Sequence, residues 1–187
     1  MTEEIPQNKY GTTPYSATNA QGLGAEPRSV RLTKSLVWVL LVLHAISSLL
    51  GVLALQSQDP QTYFEQSLPA SELEQMTPDM LETMFAASVA FFIGFAVLNV
   101  ILFVIVGLGL RANRNWARIT GLVLGILFLI SAAYTLLFAT PYGDLPGLEW
   151  LNTILSWVIV LVTIWWIVQA VNKRTSEWFA KHRRLQG

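Results

Sequence analysis

Apolar residues along the chain are gathered into four long blocks, 36–55, 86–110, 119–138 and 151–171, and none of the four contains an Asp, Glu, Lys or Arg. They are not dispersed at the periods of half-buried helices or strands. Each block holds about 20 to 25 residues, which at about 1.5 Å per residue spans a hydrocarbon core of about 30 Å, the longest with some tilt. The pattern predicts an all-α fold: an integral membrane bundle of four transmembrane helices.

Polar segments divide the rest. Residues 1–34 are rich in Gly, Pro, Thr, Gln and Asn and are expected to form a disordered tail. The membrane domain then covers 35–172 with an outer loop at 56–85, and 173–187 form a basic tail. Within the loop, Asp59-Pro60 and Thr77-Pro78 each place a capping side chain before a proline at the first helical position, and Ser71-Glu72-Leu73-Glu74 reads as a capping box. Short outer helices are expected, with the second long helix starting near Pro78, ahead of its apolar block. The connection from Ala139 to Trp150 holds two prolines and two glycines and reads as a tight turn. The first block exceeds a signal h-region in length, so it is expected to be a retained span.

Charge adds an orientation. All twelve Lys and Arg lie before the first block, between the second and third, or after the fourth, whereas the first and third connections carry eight acids and no base. Basic flanks stay in the cytoplasm, which predicts both termini inside the cell membrane. Arg111, Arg114, Trp116, Arg118, Trp165, Trp166 and Trp178 are the expected anchors at the inner interface, with Trp150 at the outer one and Trp157 deep.

Composition narrows the chemistry. The 187 residues are 53% apolar, 13% charged and neutral overall, with no Cys, which excludes disulfides, thiolate metal sites and cysteine nucleophiles. The bases are committed to the membrane boundary, so nucleic acid is not an expected partner. Two histidines and no embedded carboxylate leave little for acid-base catalysis; an enzyme, a cofactor, a metal and a soluble small-molecule substrate are not expected.

His44 lies near the middle of the first span. A haem would need a second intramembrane histidine, so an interhelical hydrogen bond is the expected role. Asn99, Ser47, Ser48, Ser131, Asn152, Ser156, Thr163 and Gln169 are expected to bond between helices, or alternatively to line a polar path. Gly121 and Gly125 form a GxxxG step, and Ser47 with Gly51 and Ala90 with Gly94 form weaker small-residue steps for helix packing.

The stretch Arg111 to Ile119, with its Arg-x-x-Arg-x-Trp-Ala-Arg-Ile core, and Asn172 to Phe179 after the last span resemble small four-helix membrane proteins of actinobacteria. Some proteins of this build are accessory subunits of the cytochrome bcc-aa3 respiratory supercomplex. The resemblance implies a non-catalytic, cofactor-free role beside larger membrane subunits, with membrane lipids as the other partner. The alternative is a small transporter or lipid-handling protein, for which the embedded polar side chains must converge on one water-accessible cavity.

Overall fold

The computed structural model describes the backbone of residues 25–138 and 146–186 and the side chains of 25–134 and 150–182. The described residues form seven helices in order: α1 (Arg28–Gln56), α2 (Pro60–Glu65), α3 (Ala70–Leu73), α4 (Pro78–Arg111), α5 (Asn115–Phe138), α6 (Pro146–Val171) and α7 (Lys173–Gln186). No strand occurs among the described residues. Four of the helices, α1, α4, α5 and α6, are long and apolar enough to cross a membrane. Helices apolar on all sides can leave most of that surface facing lipid, and large side chains such as Phe91, Ile130 and Leu161 do point outward.

The helix ends follow from local chemistry. The Asp59 carboxylate accepts the Gln61 and Thr62 amides, and the Thr77 hydroxyl accepts the Met80 amide, each ahead of a proline, as the sequence predicts. The expected capping box at Ser71 does not form. Pro69 starts α3 earlier, its carbonyl taking the Glu72 and Leu73 amides, so Ser71 falls inside the helix. Between α4 and α5 the chain reverses at Asn113, whose φ of 55° is left-handed. The Arg114 amide reaches the Gly109 carbonyl and the Asn113 amide that of Leu110, the paired closure that lets an asparagine end a helix.

The polar tail expected over 1–34 is shorter at its inner end than its composition suggests. Pro27 launches α1, and Ser29, Val30 and Thr33 are buried under the bundle. Residues 1–24, and most of the turn expected at 139–150, lie outside the described residues.

The helix α1 packs on α4 and α6, and α5 packs on the same two, closing a ring whose diagonal pairs have no backbone contact among the described residues, although His44 of α1 reaches across to Phe128 of α5. The core is concentrated at one end. Val30, Val37, Leu40, Val106, Leu110, Ala117, Trp166, Ala170 and Phe179 are buried together there. The basic flanks gather at this end too: Arg111 lies 5.0 Å over the Trp38 ring, Arg118 binds Ser176, and the Trp178 indole donates to Asn113 Oδ1. The basic segment after the last span is therefore a helix, α7, with Thr175 and Phe179 turned into the bundle. At the opposite end α2 leans on α4, Tyr63 meeting Phe85 at 5.5 Å.

Candidate functional site

Because the main packed core lies toward the basic end, the ring of four long helices leaves space toward the acidic end. It is a cavity of about 1000 Å³. Its floor is made by Val37, Leu40, Val106 and Trp166, and Gln58 and Tyr63 stand at the other end. All four long helices contribute polar side chains: His44, Ser47 and Ser48 from α1, Asn99 from α4, Ser131 from α5, and Asn152, Thr153, Ser156 and Thr163 from α6. No Asp, Glu, Lys or Arg lines it among the described residues.

Several of these polar groups are already partly satisfied. Asn99 Nδ2 donates to the Phe95 carbonyl of its own helix, and Ser156 and Thr163 donate to the carbonyls of Asn152 and Ile159. Ser47 bonds across helices, to Asn152 Oδ1 at 3.2 Å. This arrangement spends donors and leaves capacity: the second hydrogen of an amide, the lone pairs of a hydroxyl, an amide oxygen. The interhelical hydrogen bond expected of His44 is not what the structure gives. Its ring sits 4.9 Å from Phe103 and 4.7 Å from Phe128, centroid to centroid, which holds the imidazole by its faces and edges at the cavity wall. Asn99 likewise turns back on its own helix, because a short side chain on an open wall finds its own carbonyl at i−4 first.

The packing glycines divide into two groups. A Cβ on Gly121 would lie 2.6 Å from the Trp166 ring, and Gly125 sits against Ile167 and Thr163, so this step serves the α5 to α6 contact within the chain. Gly51 and Gly94 meet nothing within 4 Å, and Ala90 is exposed. Neither glycine packs against another helix among the described residues; Gly51, with Ser47, lines the cavity.

Of the expected interface anchors, Trp165 and Trp116 are half exposed, whereas Trp166 is only 2% exposed. Trp166 is a core residue: its indole N–H donates to the Thr33 carbonyl at 2.9 Å. Arg118 reaches the Ala170 carbonyl and Ser176 and lies over the Phe179 ring, and Arg114 is exposed. Trp157, expected deep in the bilayer, is half exposed on the outer surface of α6.

Gln58, Tyr63 and Thr153 join the cavity without having been singled out in the sequence. Thr153 follows Asn152 and lies one turn before Ser156, which is the signal that could have found it; Gln58 and Tyr63 carry none. Gln169, grouped with the polar path, does not line the cavity. Among the described residues, no three His, Asp or Glu come together as metal ligands. No family model, no curated protein and no solved structure matches the chain, so what the cavity does must be argued from its geometry.

Proposed function

We propose that the chain is a non-catalytic, multi-pass protein of the cell membrane that holds a lipid-like molecule inside its helix bundle. The observation that carries this is the convergence of His44, Asn99, Ser47, Asn152 and Ser156, from three helices, on one cavity. Hydrogen bonds inside a bilayer need no cavity, and side chains recruited only to join helices would lie on separate dry contacts. A space of this size, mostly apolar with a few polar groups, matches the general character of small-ligand sites. The chain purified in mild detergent is expected to carry a lipid adduct in native mass spectrometry. Ser48 lines the cavity, so Ser48→Phe is expected to lower the adduct-bearing fraction at least about tenfold by projecting a ring into the space the ligand occupies. An adduct that survives this substitution unchanged would remove the proposal.

A second reading has its own observation. On α4, Ala90, Phe91, Gly94 and Phe95 form an exposed small-and-aromatic strip, with Phe91 and Phe95 stacked and open space beside Gly94. Such strips seat a neighbouring helix. This supports an accessory subunit of a larger membrane assembly, for which the resemblance to actinobacterial proteins suggests the respiratory bcc-aa3 supercomplex. The same mild-detergent preparation decides it: stoichiometric co-purifying subunits support the reading, and a lone chain argues against it.

In the orientation proposed here both termini and the basic end face the cytoplasm, and the loop at 56–85 faces out. The chain has no cysteine, so a single introduced one reports its own side. Ser67→Cys is expected to react with an impermeant maleimide on intact cells, and Lys181→Cys only after permeabilisation; both residues lie outside the apolar blocks, at 67 in the loop and at 181 on the exposed side of α7. The reverse pattern would invert the topology.

A further inference from the structure

We infer that the ligand is an uncharged amphiphile of the diacylglycerol type, with its hydroxyl and ester head among His44, Asn99 and Asn152 and its chains along the α4 and α5 walls. The inference rests on the cavity being a ligand site and adds what the site selects.

Charge excludes most alternatives. No Asp, Glu, Lys or Arg lines the cavity among the described residues, so a phosphate or ammonium head brought inside would be desolvated with no carboxylate, ammonium or guanidinium to pair with. Within a bilayer that penalty amounts to roughly a hundredfold in affinity. The rim adds a second, independent bias. Gln58 and Tyr63 belong to a loop that carries no Lys or Arg, and Asp59, Glu65, Glu74 and Glu82 line a groove beside them. An anionic headgroup left at the mouth would therefore face carboxylates and find no base.

The polar groups that remain suit hydroxyls and esters. The Asn152 amide oxygen is taken by Ser47, which leaves its Nδ2 hydrogens to donate, while Asn99 has spent one donor and keeps its oxygen as an acceptor. His44 is held by ring contacts alone and keeps both a donor and an acceptor nitrogen when neutral. A head bearing one hydroxyl and ester carbonyls both donates and accepts, as this set requires. The apolar part has a matching wall: Phe95, Leu98, Leu102, Leu124 and Leu127 line the cavity, and Phe95, Leu98 and Leu127 stay about half exposed, so protein does not seal that side.

The test is competition on the full-length chain in detergent, read by native mass spectrometry, with four dioleoyl or long-chain probes: diacylglycerol, phosphatidylglycerol, phosphatidylcholine and an alkyl trimethylammonium. The quantity compared is the part of each probe's binding that Ser48→Phe removes. Diacylglycerol is expected to lead every charged probe by at least about tenfold in that part, and His44→Phe, which keeps the ring contacts but removes both nitrogens, is expected to weaken it about three- to tenfold. A charged probe equal to or better than diacylglycerol overturns the uncharged-head assignment and leaves the cavity as a ligand site. If Ser48→Phe removes no binding of any probe, the ligand site itself is overturned. Diacylglycerol binding indifferent to His44→Phe refutes the placement of the head.

Discussion

Replacing Trp166 by alanine is expected to destabilise the bundle by about 3 to 5 kcal/mol, the range for emptying a packed aromatic site. The indole is only 2% exposed, forms the floor of the cavity, and ties α6 to the first turns of α1 through the Thr33 carbonyl. Gly121 on α5 is shaped to the same ring: a Cβ there would come within 2.6 Å of the outer carbon of the six-membered ring and 3.2 Å of a Val106 methyl. Gly121→Ala should therefore cost about 1 to 3 kcal/mol by overpacking, since the tryptophan cannot swing aside without breaking its hydrogen bond. Phenylalanine at 166 lacks the atoms that collide. In a double-mutant cycle Gly121→Ala is thus expected to be far milder in a Trp166→Phe background, with a coupling of about 0.5 to 3 kcal/mol of relieving sign. Thermal unfolding in mild detergent measures all four variants. Additive effects would mean that the ring and the glycine are not in contact.

That tryptophan also marks where sequence reasoning reaches its limit. Trp165 and Trp166 are adjacent near the basic end of an apolar block, and an indole there is ordinarily an interface anchor. Successive residues on a helix point about 100° apart, so one ring faces out and the other enters the core, and only the rotation of α6 within the ring decides which. Helices apolar on all sides carry no stripe from which that rotation could be read. The same ambiguity hid the cavity. His44, Asn99 and Asn152 were visible as embedded polar residues, but whether they meet depends on three helix rotations at once.

What depends on local chemistry was legible. The four helices long and apolar enough to cross a membrane follow from uninterrupted apolar blocks, and the caps at Asp59 and Thr77 follow from a short acceptor side chain before proline. The capping box at Ser71 failed for a local reason as well, because Pro69 nucleates the turn two residues earlier. The small-residue steps were legible as candidates but not as contacts. Gly121 is covered by an indole from the same chain, while Gly94 has the same spacing motif and open space around it.

Removing Phe179 is the second large effect expected, and it bears on how the cavity stays open. The ring is fully buried, four residues after the equally buried Thr175, so α7 docks by one narrow apolar edge while Lys173, Arg174 and Lys181 stay exposed. A 14-residue helix is marginal in isolation, so its order depends on this docking. Phe179→Ala is expected to remove about 3 kcal/mol or more of that docking and to accelerate amide exchange across α7 by roughly a hundredfold. Asn113→Ala acts from the other side, losing both the left-handed turn preference and the acceptor for Trp178, for about 1 to 2 kcal/mol; Asn113→Gly keeps the turn and loses only the acceptor. Lys181→Ala, which alters only an exposed charge, should stay within about 0.5 kcal/mol. If α7 clamps the basic ends of α1, α5 and α6, the helices can stand apart at the acidic end without the bundle dissolving, which is the condition for a cavity there. Hydrogen exchange in α7 that is indifferent to Phe179→Ala but sensitive to removal of anionic lipid would place the clamp in the membrane surface, and the open end would then need another support.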